Sequence, residues 1–329
     1  MHPFLQRQQG RFGCATATRT HHSLRAIFGI AALASILSLA AGCDKANGGA
    51  RELHQTSLAN KPRTLFLLFG DKADPRVLPL ATLADGKIEP IVLDASGWRN
   101  FDELYFPAGA HLSLYEHGKT VGDAVVRRGM WEGTEPLYKL PGCKALRPLA
   151  AVTLTGAPSS AVMLELLATS APILDPAARP APSAADMDSA NAFAMRVAQH
   201  EGFTATARTE MDLVVAALPT GATAHPTLMA SFMDKGSGPN GKPRNLFALG
   251  DWSESTHSYV VSFVHVPAEP VREFRRLIDH VDLTGDGVDE VVVEGWRARG
   301  DSYLIILRYQ NAHWREMARG ATSWCADHQ

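Results

Sequence analysis

The chain has 329 residues, 46% hydrophobic and 20% charged, with a formal net charge of −2. That apolar share can fill one large core or two small ones. No basic run or stripe occurs, so nucleic acid is not an expected partner.

The first element in chain order is an apolar run of 16 residues from Ala26 to Ala41. Arg7, Arg11, Arg19 and Arg25 precede it, with no acid among them. A basic segment, a short apolar segment and small residues before a cleavage point make a secretory signal. The run is short for a membrane span, which needs about 20 apolar residues. Its end, Leu39-Ala40-Ala41-Gly42-Cys43, resembles the lipobox of bacterial lipoproteins. The resemblance implies that residues 1–42 are a signal peptide and that Cys43 is lipidated and becomes the new N-terminus. It also implies a membrane anchor facing the periplasm, with Asp44 resembling an inner-membrane retention signal. Losing residues 1–42 removes four arginines and no acid, so the formal charge moves from −2 to −6.

Residues 43–62 are polar and read as a flexible spacer. A β-rich domain is expected over 63–170. Its strands are Thr64–Phe69, Ile88–Leu93, His111–Tyr115, Ala124–Trp131 and Ala150–Leu154, separated by Gly- and Pro-containing turns. Ala161–Leu167 fits a strand or one short helix. Pro172, Pro176, Pro180 and Pro182 exclude a regular helix, so 171–185 reads as a Pro/Ala linker. Asp186–His200 reads as a helix capped by Asp186 or Ser189 and stopped by Gly202.

The second β-rich domain, 186–329, begins with that helix. Its expected strands are Met211–Leu218, Thr227–Met233, Asn245–Leu249, Ser258–Val266, Phe274–Val281, Val291–Glu294, Tyr303–Tyr309 and His313–Met317. The fold class is therefore mostly β, a β-rich α+β chain of two small domains.

Asp282-Leu-Thr-Gly-Asp-Gly-Val-Asp-Glu290 carries oxygen donors at positions 1, 3, 5 and 9 and a glycine at 6. Such spacing suits Ca²⁺, which takes six to eight oxygens. Position 12 is Val293, so the bidentate glutamate of an EF-hand is missing. The stretch resembles the calcium loop of FG-GAP repeats, which leads into a strand. The resemblance implies ligands at Asp282, Thr284, Asp286 and Glu290, with the carbonyl of Val288. Thr284 and Glu290 stand where that family has Asn or Asp and Asp. The same residues also suit a calcium-free turn, with the carboxylates accepting backbone N–H groups.

Cys143 and Cys325 remain after Cys14 leaves and Cys43 is lipidated. In an oxidising compartment they suit a disulfide or two separately buried thiols. Gly236–Gly241 fits GxGxxG, but Pro239 and Pro243 break any following helix, so a loop is expected. No HxxxH, HExxH, GxSxG or SxxK pattern occurs. The expected role is a lipid-anchored envelope protein with a non-catalytic binding or structural function, toward an envelope protein or glycan. The alternative is a periplasmic hydrolase or its accessory subunit. Acids and histidines converging in one cleft would point to the enzyme. An aromatic patch around Trp252 or Trp296 would point to binding.

Overall fold

The computed structural model describes residues 61–129, 149–156, 163–174, 179–234, 245–268, 273–297 and 302–321. Cys43, Cys143, Cys325 and the 236–241 loop lie outside them. All described residues belong to one compact unit spanning 49–329, and the fold is mostly β.

The first half is a ring of strands. β1 (Arg63–Asp71), β2 (Arg76–Ala84), β3 (Lys87–Pro90), β4 (His111–Glu116), β5 (Lys119–Gly129), β6 (Ala150–Thr155) and β7 (Met163–Thr169) pair in the order β1-β7-β4-β5-β6-β2-β3. An added β1–β2 pairing closes six of them into a ring, narrowly joined where β2 meets β6. β7 resolves the Ala161–Leu167 ambiguity as a strand. β2 escapes the sequence reading because Pro79 interrupts it. Pro79 sits at the register shift opposite Leu65 and Phe66, where a proline costs no ladder bond.

Side chains alternate across the ring wall. Phe66 and Leu68 of β1 point with Leu112, Leu114, Val126 and Leu166 into one cluster; Leu65 and Leu67 point into another. The inner cluster is completed by α1 (Ala95–Tyr105), a helix in a stretch to which the sequence reading assigned no element. The β3 strand ends at Pro90, and Asp94 then caps α1 by accepting from the N–H of Gly97 at 2.8 Å. Trp98, Phe101 and Tyr105 lie on its buried face, with Phe101 and Tyr105 stacked at 4.4 Å. The end of the spacer packs here too: the Tyr105 hydroxyl donates to the carbonyl of Pro62 at 2.8 Å, and Lys61 lies 4.2 Å over the Tyr105 ring.

The second half begins with α2 (Ala184–His200) and α3 (Ala205–Glu210). The cap of α2 is Ser183, one turn earlier than expected, in a reciprocal box with Asp186. Two four-stranded meanders follow. β8 (Met211–Leu218), β9 (Thr227–Asp234), β10 (Leu246–Ser253) and β11 (Ser258–His265) form one sheet. β12 (Glu273–Val281), β13 (Glu290–Arg297), β14 (Ser302–Gln310) and β15 (His313–Ala321) form the other.

α2 covers the outer face of the β8–β11 sheet through Phe193, Ala194 and Val197. Gly250 permits this approach, since a Cβ there would meet the Phe193 ring at 2.4 Å. The inner face meets the β12–β15 sheet through Met229, Phe247, Val291, Val293 and Ile305. The far face of the β12–β15 sheet presents Val292, Leu304 and Ile306 to the outside of the ring. The two stretches read as separate domains thus share an apolar cluster. Asp251 ties the two meanders together as well, accepting from Trp314 Nε1 at 2.7 Å and from the Thr227 hydroxyl at 2.6 Å.

Trp98 is 1% exposed inside the ring. Trp98→Ala should cost about 3–5 kcal/mol, the usual range for emptying a buried aromatic site. A urea midpoint left unchanged by this substitution would mean that α1 does not fill the ring.

Candidate functional site

A cavity of about 750 Å³ opens between the two halves of the described fold. Its walls come from the β4–β5 turn, the segment before α2, the end of β8, β12, and the residue before β13. Met187 and Val215 on one side of β8, and Ala216, Leu218 and Leu277 on the other, supply its apolar lining. Its polar lining is a cluster around Asp289.

Asp289 is 1% exposed. Its Oδ2 lies 2.6 Å from His280 Nδ1, and its Oδ1 lies 2.7 Å from an Arg179 guanidinium nitrogen. Its backbone N–H donates to the carbonyl of Thr220 at 2.8 Å. Arg179 is fixed further by donating to the carbonyls of Pro219 at 2.8 Å and Gly287 at 2.6 Å. The carboxylate therefore faces an imidazole on one side and a guanidinium on the other; the guanidinium is in ion-pair range of Oδ1, which accepts no hydrogen bond among the described residues. His280 Nε2 has no hydrogen-bond partner among the described residues, and His280 lines the cavity.

Gly118 makes the close approach possible. Its φ is +73°, and a Cβ there would stand 2.8 Å from Asp289 Oδ2 and 2.9 Å from the His280 ring. The turn that carries it is held by Asp279, whose two oxygens accept the N–H of His117 at 3.0 and 2.9 Å. Burial pushes the Asp279 carboxyl above its usual range, with neighbouring His280 and the N–H groups of His280 and His117 acting against it. The register of β12 shifts between Leu277 and Asp279. Strict alternation would put Asp279 and His280 on opposite faces; at the end of this irregular stretch both side chains are buried.

The expected calcium ligands are drawn together by other partners. Asp282 accepts three backbone N–H groups, from Gly285 at 2.6 Å, Asp286 at 3.3 Å and Gly287 at 2.9 Å. Asp286 accepts from Val288 N–H at 3.0 Å and from Arg308 at 2.7 Å. Glu290 accepts from Leu283 N–H at 2.8 Å and from the Thr284 hydroxyl at 3.1 Å, with Arg308 at 3.4 Å. The carboxylate oxygens are thus turned to backbone donors and to one guanidinium. Among the described residues no group of three acids, histidines or cysteines is arranged as a metal cage. In this arrangement Arg308 supplies the positive charge between Asp286 and Glu290.

Neither aromatic site forms a flat platform. Trp252 meets His225 at 4.4 Å, and its plane stands at 80° to Tyr259. Trp296 is covered by Arg276 at 4.6 Å and flanked by Phe274. A scan of family models, a search of curated proteins and a search of solved structures each return no match for the chain.

Sequence reasoning missed Asp289, His280 and Arg179 as a unit. Asp289 occupies position 8 of its loop, outside the donor pattern at 1, 3, 5 and 9. That register is the signal: position 8 points away from the loop interior, toward the cavity.

Burial, the largest effect, pushes Glu290 up to about 8 from its usual 4.5; Asp286 adds to the rise, while the Leu283, Thr284 and Arg308 contacts oppose it. The unfolded chain loses this proton near 4.5 and the folded chain holds it to about 8. The folded state binds more protons in between, so this group's contribution to stability falls as pH rises through that window. Glu290→Gln should flatten that part of the melting profile and raise Tm at pH 8. An unchanged slope would show that Glu290 ionises normally.

Calcium would have to displace Arg308 from Asp286 and Glu290. Arg308→Ala should therefore give a larger rise in Tm with millimolar calcium than the wild type gives, since an ion stabilises by mass action. Flat melting in both proteins would remove calcium from this loop.

Proposed function

We propose that this chain is a lipid-anchored cell-envelope protein, facing the periplasm, whose folded body has a non-catalytic binding role exercised through the cavity beside Asp289. The observation that carries the reading is the cavity itself. Its size lies within the range of small-molecule sites, and it joins an apolar lining to a few fixed polar groups. Five chain segments contribute to it. The lipobox-like stretch ending at Cys43 supports the anchor, and a spacer would let the body stand off the membrane.

A hydrolase is the second reading, and the His280–Asp289 pair favours it. An imidazole oriented by a carboxylate is the usual base and orienter. The lining residues include no serine or cysteine, and Thr120 is their only hydroxyl side chain. A binding role needs nothing beyond the groups in place, so it ranks first.

Cys43→Ser should abolish cleavage after Gly42 and leave uncut precursor, because the thiol is the lipidation point. The wild type should partition with membranes, each buried CH₂ of its acyl chains contributing about 0.8 kcal/mol. Normal processing and release of the Cys43→Ser protein, read by its mass, would overturn the anchor. Turnover of acyl or glycosyl substrates that is lost in His280→Gln would move the second reading to first place.

A further inference from the structure

The cavity carries more than a general binding role. Its polar groups are not distributed evenly, and they differ in whether their charge is already balanced. Arg179 donates to two carbonyls and stands in ion-pair range of Asp289. Asp289 lies between Arg179 and His280. Asp279 lies behind the turn and is closed off by the N–H groups of His117 and His280. Arg179 and Asp289 thus balance each other's charge, and Asp279 is not among the lining residues.

What remains for a visitor is a different set. Lys119 stands exposed on the rim, with no hydrogen-bond or ion-pair partner among the described residues. His117 and His280 line the same cavity. Asp289 is the only carboxylate among the lining residues, and Met187, Val215, Ala216 and Leu277 are apolar. One end thus offers the Lys119 ammonium beside two imidazoles, and the rest offers hydrocarbon.

We propose that the cavity binds a small amphiphile with a single anionic head, a carboxylate or a phosphate, held at Lys119 with its apolar tail against Met187 and Val215. The proposal rests on the ligand-binding reading given above and names the class of ligand. Charge complementarity carries it. An ammonium meeting an anion in a half-enclosed site gains a charge-assisted bond. The tail gains burial at about 25 cal/mol per Å².

The test uses the full chain in lipid nanodiscs, with empty nanodiscs as the blank for partitioning. Calorimetric titrations compare octanoate, octyl phosphate, octan-1-ol and octyltrimethylammonium, all below micelle formation. At least one of the anions should bind about tenfold or more tighter than the alcohol, the size expected of one hydrogen bond to a charged group. The cation should bind more weakly than the alcohol. Lys119→Glu, a surface change that leaves the core intact, should remove the preference for the anion. Val215→Trp and Met187→Trp, each checked for wild-type melting, should abolish binding of every probe by filling the cavity at its apolar lining.

Octanoate bound without octyl phosphate identifies the head as a carboxylate, and the reverse identifies a phosphate; both outcomes support the proposal. Equal affinity for anion and alcohol would overturn the anionic head while leaving a ligand site in place. No binding of any probe would overturn the proposal. The general ligand-binding reading falls with it only if the mature protein extracted from its envelope also retains no small molecule by native mass spectrometry.

Discussion

The fold depends on the burial of β13 and β14 on both faces. Val291 and Val293 face one sheet while Val292 faces the ring; Ile305 and Leu307 face the sheet while Leu304 and Ile306 face the ring. A strand buried on both sides must be apolar at consecutive positions, and these two are. Their burial stacks the helix α2, the two meanders and the ring into successive layers. Without it the ring and the first meander would each expose a large apolar surface.

Such stacking leaves seams where strand ends and turns meet, and the polar side chains collect there. Asp251 bridges the two meanders with a hydroxyl and an indole N–H. Glu273 lies at another seam, where burial raises its carboxyl but the Tyr303 hydroxyl, His265, Arg275 and Arg297 together hold it below its usual range. Arg276 joins Glu165 of the ring to Glu294 of β13. Asp289 is the member of this set that borders empty space. The same pairing that makes it a structural joint also fixes His280 at a cavity wall.

The strands of the second half were legible because each meander strand is short, apolar and bounded by Gly, Asp or Asn turns. Thr227–Met233 and Tyr303–Tyr309 differ from the strands formed by a residue or so at each end. β2 was not legible, because a proline inside an apolar run argues against a strand unless a register shift absorbs it. α1 was readable in principle. Asp94 followed by Trp98, Phe101 and Tyr105 is a cap and a helical stripe, masked by Gly97 and by the preceding apolar Ile91 and Leu93. The fold class followed from the strands, while the anchor expectation at Cys43 rests on residues outside those described.

The site resisted reading for a different reason. Its members sit at 118, 179, 280 and 289, and no local spacing relates them. Only His280 and Asp289 are near in sequence, and their nine-residue separation spans a loop whose own acids drew the attention. A turn of this kind has two faces. The odd positions fold inward on backbone N–H groups and Arg308, which leaves the eighth position to point outward with its carboxylate unspent. Whether that carboxylate finds solvent, a neighbour or a cavity is decided by what packs against the loop. Here the packing partners are a glycine turn from the ring and an arginine from the segment before α2. The chemistry of the site is therefore a property of the layer stacking, and any change that loosens the stack should reach the cavity through Arg179 and Gly118 before it reaches the β13–β14 core.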